Sequence, residues 1–188
     1  RKILLLDTGR EWGGGTNSLL ELLRRIDRRR YRISVMFYEN YRKGNGPDVG
    51  SVVEGLGHEF ILKVRRPIPA WARAAKVTAR VAAWWSRALR HRAIFAVDFR
   101  WRIRPDADAL AKVLREGRFD LLYMNNQPSS NLEGILAAAA CGIPSLQHAR
   151  SFGSLTPGEA RIVNRHLGRM ICVSEGLRRA YAAQGVAP

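Results

Sequence analysis

The chain has 188 residues, of which 46% are hydrophobic, and this composition suits one globular α/β domain and excludes a disordered segment. Lysine and arginine number 32 against 16 acidic residues, and the formal net charge of +16 predicts attraction to phosphate-bearing partners. The longest apolar run, residues 135–143, is too short to span a bilayer. Two cysteines without metal-ligand spacing, Cys141 and Cys172, favour a reducing, cytoplasmic location, and we expect neither a metal nor a cofactor.

Strand and helix patterns alternate along the chain, beginning with a buried strand over residues 2–7 that leads into a glycine loop and an amphipathic helix. This alternation predicts a Rossmann-like, doubly wound parallel sheet in a single α/β domain, with helices on both faces. Further strands are predicted at residues 31–38, 58–64, 119–124, 144–148 and 169–173, and further helices at 49–56, 71–92, 105–117, 131–140, from 156 onward and at 174–183.

The first loop suits an anionic or polar ligand. Its consecutive glycines, Gly13–Gly15, let a phosphate or a sugar approach the main chain, and the helix that follows offers free N–H groups and a positive end. The spacing is not G-x-G-x-x-G, because Gly9 is followed by Arg10 and Glu11, so a nicotinamide-dependent oxidoreductase is disfavoured. The alternative is a tight turn with no ligand.

Polar residues also follow other predicted strands, whose carboxyl ends meet at one edge of a parallel sheet. His148 is the candidate catalytic residue, since an imidazole can polarise a hydroxyl or bind phosphate, although a lone strand-end histidine is more often structural. Arg150 suits a phosphate or a carboxylate, whereas Asn125 and Asn126 either bind sugar hydroxyls or form a turn. The simplest roles of Ser174–Glu175 are a helix N-cap and a first-turn carboxylate. The candidate substrate-binding residues are Gly13, Gly14, Gly15, Thr16, Asn17, Asn125, Asn126, Arg150, Ser174 and Glu175.

The predicted helix over residues 71–92 lies in the most basic part of the chain, since residues 61–104 hold 12 basic residues and one acid, Asp98. On a helical wheel the basic residues share one face and the tryptophans lie opposite it or at its border, which is typical of a helix in a membrane interface. Alternatively, the apolar face packs on the sheet and the basic face is solvated, but three tryptophans favour the interface. Nucleic acid is disfavoured, because no zinc, helix-turn-helix or RNA-binding motif accompanies the charge. The membrane-surface candidates are Arg73, Lys76, Arg80, Trp84, Trp85, Arg87 and Arg90.

Four sequence segments together resemble the N-terminal domain of the family-four, retaining glycosyltransferases of the GT-B fold. The first is W-G-G-G at residues 12–15 with L-L-E-L at 19–22, and the second is F-D-L-L-Y-M-N at 119–125. The third is G-I-P-S-L-Q-H at 142–148, and the fourth is I-C-V-S-E-G-L-R at 171–178, followed by Gly185 and Val186. In this order they cover nearly the whole chain.

The resemblance implies that residues 1–188 are the acceptor-side half of a two-domain hexosyltransferase. Such an enzyme moves a sugar from a nucleotide-sugar donor to a glycan or lipid-linked acceptor with retention of anomeric configuration. The donor binds mainly to a C-terminal domain that is absent from this chain, so the chain alone is expected to be inactive.

The resemblance also implies roles for individual residues. Gly14 and Gly15 line the interdomain cleft and His148 contacts the transferring sugar or the acceptor, whereas Thr16–Asn17 replace the Ala-Glu that is common there. Some members dock on membranes through a basic helix of this domain, which implies polysaccharide or glycolipid biosynthesis at the inner membrane face. The alternative is a non-catalytic α/β binding module for an anionic membrane or nucleic acid.

Overall fold

Every strand of the sheet runs parallel to its neighbours in the computed structural model, which describes residues 1–65 and 67–187. The strands are β1 Lys2–Asp7, β2 Arg32–Phe37, β3 Glu59–Leu62, β4 Leu121–Asn126, β5 Ser145–Ala149 and β6 Arg169–Cys172. Their order across the sheet is β3-β2-β1-β4-β5-β6. This is the doubly wound, Rossmann-like arrangement, so the predicted fold class is confirmed.

The helices lie between the strands in sequence, except for the last helix, which follows the last strand. Within the described ranges, none is both long enough and apolar enough to cross a membrane. Their termini follow local rules: Thr156 forms a capping box with Glu159, Ser174 accepts a hydrogen bond from the Leu177 N–H, and Gly142 ends its helix at φ +65°. The helices are α1 Gly14–Arg25, α2 Val49–Gly55, α3 Ala70–Ala82, α4 Arg87–Asp98, α5 Arg104–Glu116, α6 Leu132–Cys141, α7 Pro157–His166 and α8 Glu175–Ala182.

The core lies on both faces of the central strand β1. Leu4 and Leu6 belong to a hydrophobic cluster that includes residues of α5 and α6. Leu5 belongs to a second cluster, with residues of α1 and α2. A strand that is buried on both faces reads as an unbroken apolar run, which is why the opening of the chain predicts it correctly. The sheet therefore holds the carboxyl ends of its strands in fixed positions.

The prediction of one helix over residues 71–92 is wrong. α3 ends at Ala82, and α4 begins at Arg87 and continues through a π-helical turn, Phe99–Ile103, into α5. Ser86 starts the second helix, because its hydroxyl accepts a hydrogen bond from the Leu89 N–H at 3.3 Å as an N-cap. The break shifts the register of the helical wheel, so the predicted basic residues do not share one continuous face.

The side chains of α3 and α4 also differ from the predicted amphipathic pattern. The ammonium of Lys76 pairs with the Asp98 carboxylate, and the Lys76 side chain is only 19% exposed, so Lys76 does not belong to the solvated basic residues. The buried positions are the small residues Ala72 and Ala83. The alternative in which the large apolar residues of this region pack on the sheet is therefore wrong, because these residues are exposed. We call them the α3–α4 surface: Trp71, Val77, Val81, Trp84, Trp85 and Leu89.

Candidate functional site

The candidate site lies where the strand order reverses. β2 and β3 extend the sheet on one side of β1, and β4, β5 and β6 extend it on the other side. Ligands of doubly wound sheets bind outside the carboxyl ends of the strands at this switch point. Asp7 ends β1 there, Asn125 and Asn126 end β4, and Ala149 ends β5 beside Arg150.

Asp7 holds the centre of this edge. Its carboxylate is 1% exposed and accepts hydrogen bonds from the Gly9 N–H at 2.7 Å, Asn125 Nδ2 at 2.5 Å and Asn126 Nδ2 at 2.6 Å. A buried carboxylate needs such donors, because burial without them is costly. Asp7 thus ties the start of the glycine loop to the end of β4. The sequence places Asp7 at the end of the first strand but gives no sign of this role, because Asn125 and Asn126 are 118 and 119 residues away along the chain.

The two asparagines occupy different positions. Asn125 is fully buried, and its Oδ1 accepts a hydrogen bond from Arg150 Nε, so both amide atoms are used within the domain. Asn126 has φ +77°, a left-handed conformation that asparagine adopts more readily than most residues. This conformation brings its side chain to Asp7 and close to the glycine loop.

The glycine loop offers an open helix start. α1 begins after Gly13 with no side-chain cap, so its first-turn N–H groups are available to an anion. A Cβ at Gly13 or Gly14 would meet nothing within 4 Å, whereas a Cβ at Gly15 would lie 3.2 Å from Asn126 Oδ1. The first two glycines therefore leave space for a ligand, and the third allows the loop to approach β4.

Thr16 and Asn17 hold the loop through their side chains. Thr16 is buried, and its hydroxyl lies 3.0 Å from the Tyr41 hydroxyl. Asn17 Oδ1 accepts a hydrogen bond from Trp12 Nε1 at 2.8 Å. Burial raises the pKa of Tyr41 to about 12, so this phenol stays neutral as a hydrogen-bonding group. The structure gives both predicted residues contacts that shape the loop.

His148 lies beside Tyr123 and Arg150. Its Nδ1 is 2.5 Å from Tyr123 Oη and 3.4 Å from Arg150 Nη2. Burial, and secondarily the charge of Arg150, lower the pKa of His148, so the imidazole is neutral at pH 7. Burial raises the pKa of Tyr123 against the opposing effect of Arg150. The sequence gives no signal for Tyr123, which reads only as an aromatic strand residue.

Ser174 and Glu175 lie apart from this network. Ser174 caps α8, as the sequence predicts, and the Glu175 carboxylate pairs with Arg178 at 2.7 Å and with Arg179 at 3.1 Å. Hydrogen bonds from Arg178 and Arg179 lower the pKa of Glu175 to about 2. Both residues line a groove of about 620 Å³ beside β6. The central residues brought together are Asp7, Tyr123, Asn125, Asn126, His148 and Arg150, and we call them the carboxyl-edge network.

A second buried polar cluster lies at the ends of β2 and β3. Arg65 pairs with the buried carboxylate of Glu133 and lies 3.7 Å from Asp106, and its guanidinium stacks on the Tyr38 ring at 3.9 Å. Burial raises the pKa of Tyr38 well above its usual value. The cluster joins these strand ends to the first turns of α5 and α6. It thereby holds in place the part of the carboxyl edge that lies next to the glycine loop.

The domain has the fold of one Rossmann-like half of a GT-B glycosyltransferase. HepE from Anabaena, solved in complex with UDP, superposes with a TM-score of 0.62 and 15% identity over 100% of this chain and 42% of its own. The UDP-GlcNAc 2-epimerase of Neisseria meningitidis, bound to UDP-GlcNAc, superposes with a TM-score of 0.55 and 12% identity. The match covers 100% of this chain and 44% of the epimerase.

MurG from Acinetobacter baumannii gives a TM-score of 0.52 and 11% identity over 92% of this chain and 41% of its own. The chain thus spans less than half the length of each of these proteins. No protein-family model matches the chain, and no curated protein matches it in sequence. At these identities the likeness establishes the fold.

Proposed function

We propose that this chain is the acceptor-side half of a glycosyltransferase that takes a sugar from a nucleotide-sugar donor. The observation that carries the proposal is the uncapped start of α1 at the strand-order switch point, with open space at Gly13 and Gly14. Such a helix start suits a diphosphate. The fold supports this assignment, because the structurally similar HepE and epimerase were solved with UDP and UDP-GlcNAc.

The finer features of the reaction rest on the sequence resemblance. They are transfer of a hexose, retention of anomeric configuration, and a glycan or lipid-linked acceptor. A C-terminal domain holds most of the donor contacts in this proposal, so the 188-residue chain alone binds donor poorly and transfers no sugar.

Incubation of the native full-length protein with a panel of nucleotide sugars and a lipid and glycan extract of its source tests this proposal. We expect one donor to release its nucleoside diphosphate and to label an acceptor, and we expect the isolated chain to do neither. NMR of the new glycosidic bond then reports the anomeric configuration. Turnover by the isolated chain, or inversion in the product, would contradict the corresponding part of the proposal.

The α3–α4 surface supports a second proposal, peripheral binding to the inner face of an anionic membrane. Trp84 is 74% exposed and Trp85 66%, and Arg73, Arg80 and Arg87 in α3 and α4 are exposed as well. Exposed tryptophans with arginines suit a membrane interface, where each cation near an anionic surface contributes roughly 1 kcal/mol. This surface also fits the alternative function, a non-catalytic module for anionic membranes or nucleic acid.

Vesicle sedimentation tests the membrane proposal. We expect the chain to bind vesicles of anionic phospholipid, and the triple variant Arg73→Glu, Arg80→Glu, Arg87→Glu to lose binding. A matched variant with the same charge change, Arg25→Glu, Arg29→Glu, Arg30→Glu, alters exposed arginines elsewhere and should retain most of it. Equal loss in both variants would show that net charge alone drives binding, and intact binding in the first variant would contradict the proposal.

A further inference from the structure

The partners of His148 determine which of its ring nitrogens accepts a hydrogen bond. Arg150 Nη2 lies 3.4 Å from His148 Nδ1, and a guanidinium can only donate. Nδ1 must therefore accept, and it carries no proton in this arrangement. Because the imidazole is neutral, its single proton lies on Nε2.

Tyr123 acts on the same nitrogen. Its hydroxyl lies 2.5 Å from Nδ1. Since Nδ1 carries no proton, the phenol hydroxyl is the donor in this hydrogen bond. Two donors thus converge on one ring nitrogen, while Nε2 of the partly exposed His148 makes no hydrogen bond to any described residue.

The orientation starts at Asp7, which is connected to His148 by three hydrogen bonds through Asn125 and Arg150. Its carboxylate accepts from every partner, so the Asn125 side chain must turn its NH₂ group to Asp7. Asn125 Oδ1 then faces Arg150 Nε and accepts from it. The acceptor-only group at one end and the donor-only group at the other fix the amide orientation and, through Arg150, the protonation of His148.

We propose that His148 is a hydrogen-bond donor, through Nε2–H, to an oxygen of the bound ligand, and that Tyr123 and Arg150 are positioning residues that fix this tautomer. His148 is then not a general base, because Nδ1 is occupied by donors and Nε2 already carries a proton. The ligand oxygen belongs to a phosphate or to a sugar hydroxyl. This ligand role rests on the proposed function, whereas the tautomer does not.

Long-range ¹H–¹⁵N NMR of the unligated chain tests the tautomer. We expect one neutral His148 species at pH 7.5, with a bare Nδ1 and a protonated Nε2. In Tyr123→Phe the Nδ1 resonance should move toward that of an unbonded imidazole nitrogen. Tyr41→Phe is the matched control, since that phenol contacts Thr16 and not His148, and it should leave the His148 signals in place.

A protonated Nδ1 in the wild-type chain would overturn the proposal without any use of the Tyr123 variant. Unchanged His148 signals in Tyr123→Phe would remove Tyr123 from the positioning role. Both outcomes leave the proposed sugar transfer intact, because neither measurement requires a substrate.

Titration with two probes then identifies the ligand oxygen. A change at Nε2 with inorganic pyrophosphate identifies a phosphate oxygen, and a change with methyl α-D-glucopyranoside identifies a sugar hydroxyl. If Nε2 shows no change with pyrophosphate and none with the glucoside, each at saturating concentration, the donor role is contradicted.

Discussion

The carboxyl-edge network and the α3–α4 surface differ in how their side chains are satisfied. In the network, buried polar groups bond to one another, with Asp7 accepting from three donors. On the α3–α4 surface, large apolar side chains face solvent, and the rings of Trp84 and Trp85 form an edge-to-face pair. A satisfied polar network is rigid and stabilises one arrangement, whereas exposed apolar residues add little to stability and mark an interaction surface. Substitutions in the network should therefore change stability, and substitutions on the surface should change binding alone.

The largest effect is expected for Asp7→Ala. The variant leaves buried donors of Asn125 and the Gly9 backbone without a partner, so the free energy of unfolding should fall by about 3 kcal/mol. Urea denaturation measures this loss. Asp108→Ala is the control, because Asp108 makes only an exposed i,i+4 pair with Arg104, and its loss should stay below about 0.5 kcal/mol. Similar losses in both variants would show that Asp7 is not the centre of a satisfied network.

Alanine substitutions at two glycines of the loop should differ in their effect on stability, because one glycine lies close to Asn126 and the other faces open space. The Cβ of Gly15→Ala would lie 3.2 Å from an Asn126 side chain that Asp7 holds in place, whereas Gly14→Ala meets nothing within 4 Å. We expect Gly15→Ala to be less stable than Gly14→Ala by about 1 kcal/mol, from crowding of a fixed neighbour. Thermal unfolding of the pair checks this, and equal melting temperatures would mean that Asn126 moves freely.

The α3–α4 surface should show the opposite behaviour. Trp84→Ser with Trp85→Ser removes two exposed rings, so the free energy of unfolding should stay within about 0.5 kcal/mol of the wild-type value. Vesicle binding of the same double variant should fall strongly, since the rings supply the apolar contact with the interface. A large loss of stability would instead place these tryptophans in the packing of the domain.

The smallest effect is the pH dependence that His148 confers. Its pKa is lowered from 6.5 by burial and by Arg150, so the unfolded chain binds the proton more tightly than the folded chain. The contribution of His148 to stability is therefore complete above pH 6.5 and is lost as the pH falls toward its folded pKa. His148→Gln should flatten this slope in urea titrations at a series of pH values. If the free energy of unfolding of His148→Gln depends on pH as that of the wild type does, another group causes the pH dependence.

The sequence predicts the sheet, most helices and their caps, because apolar runs and capping residues are local signals. It predicts one helix at residues 71–92 wrongly, since the wheel treats Trp84–Trp85 as helical and overlooks Ser86 as an N-cap. The network is only partly predictable. His148 and Arg150 stand at a strand end in the sequence, but Tyr123 meets His148 only through the pairing of β4 with β5. Likewise, Asp7 and Asn125 are 118 residues apart.

The central claim is that the open start of α1 binds the diphosphate of a nucleotide sugar. Gly14→Trp fills this opening, and Gly55→Trp places the same ring in open space at the end of α2, away from the carboxyl edge. We would measure nucleoside diphosphate release by both variants of the native full-length protein with its donor and acceptor. We predict a loss of at least about 100-fold for Gly14→Trp, as expected when a positioning contact is removed, and near wild-type rates for Gly55→Trp. Equal rates in the two variants would contradict the claim.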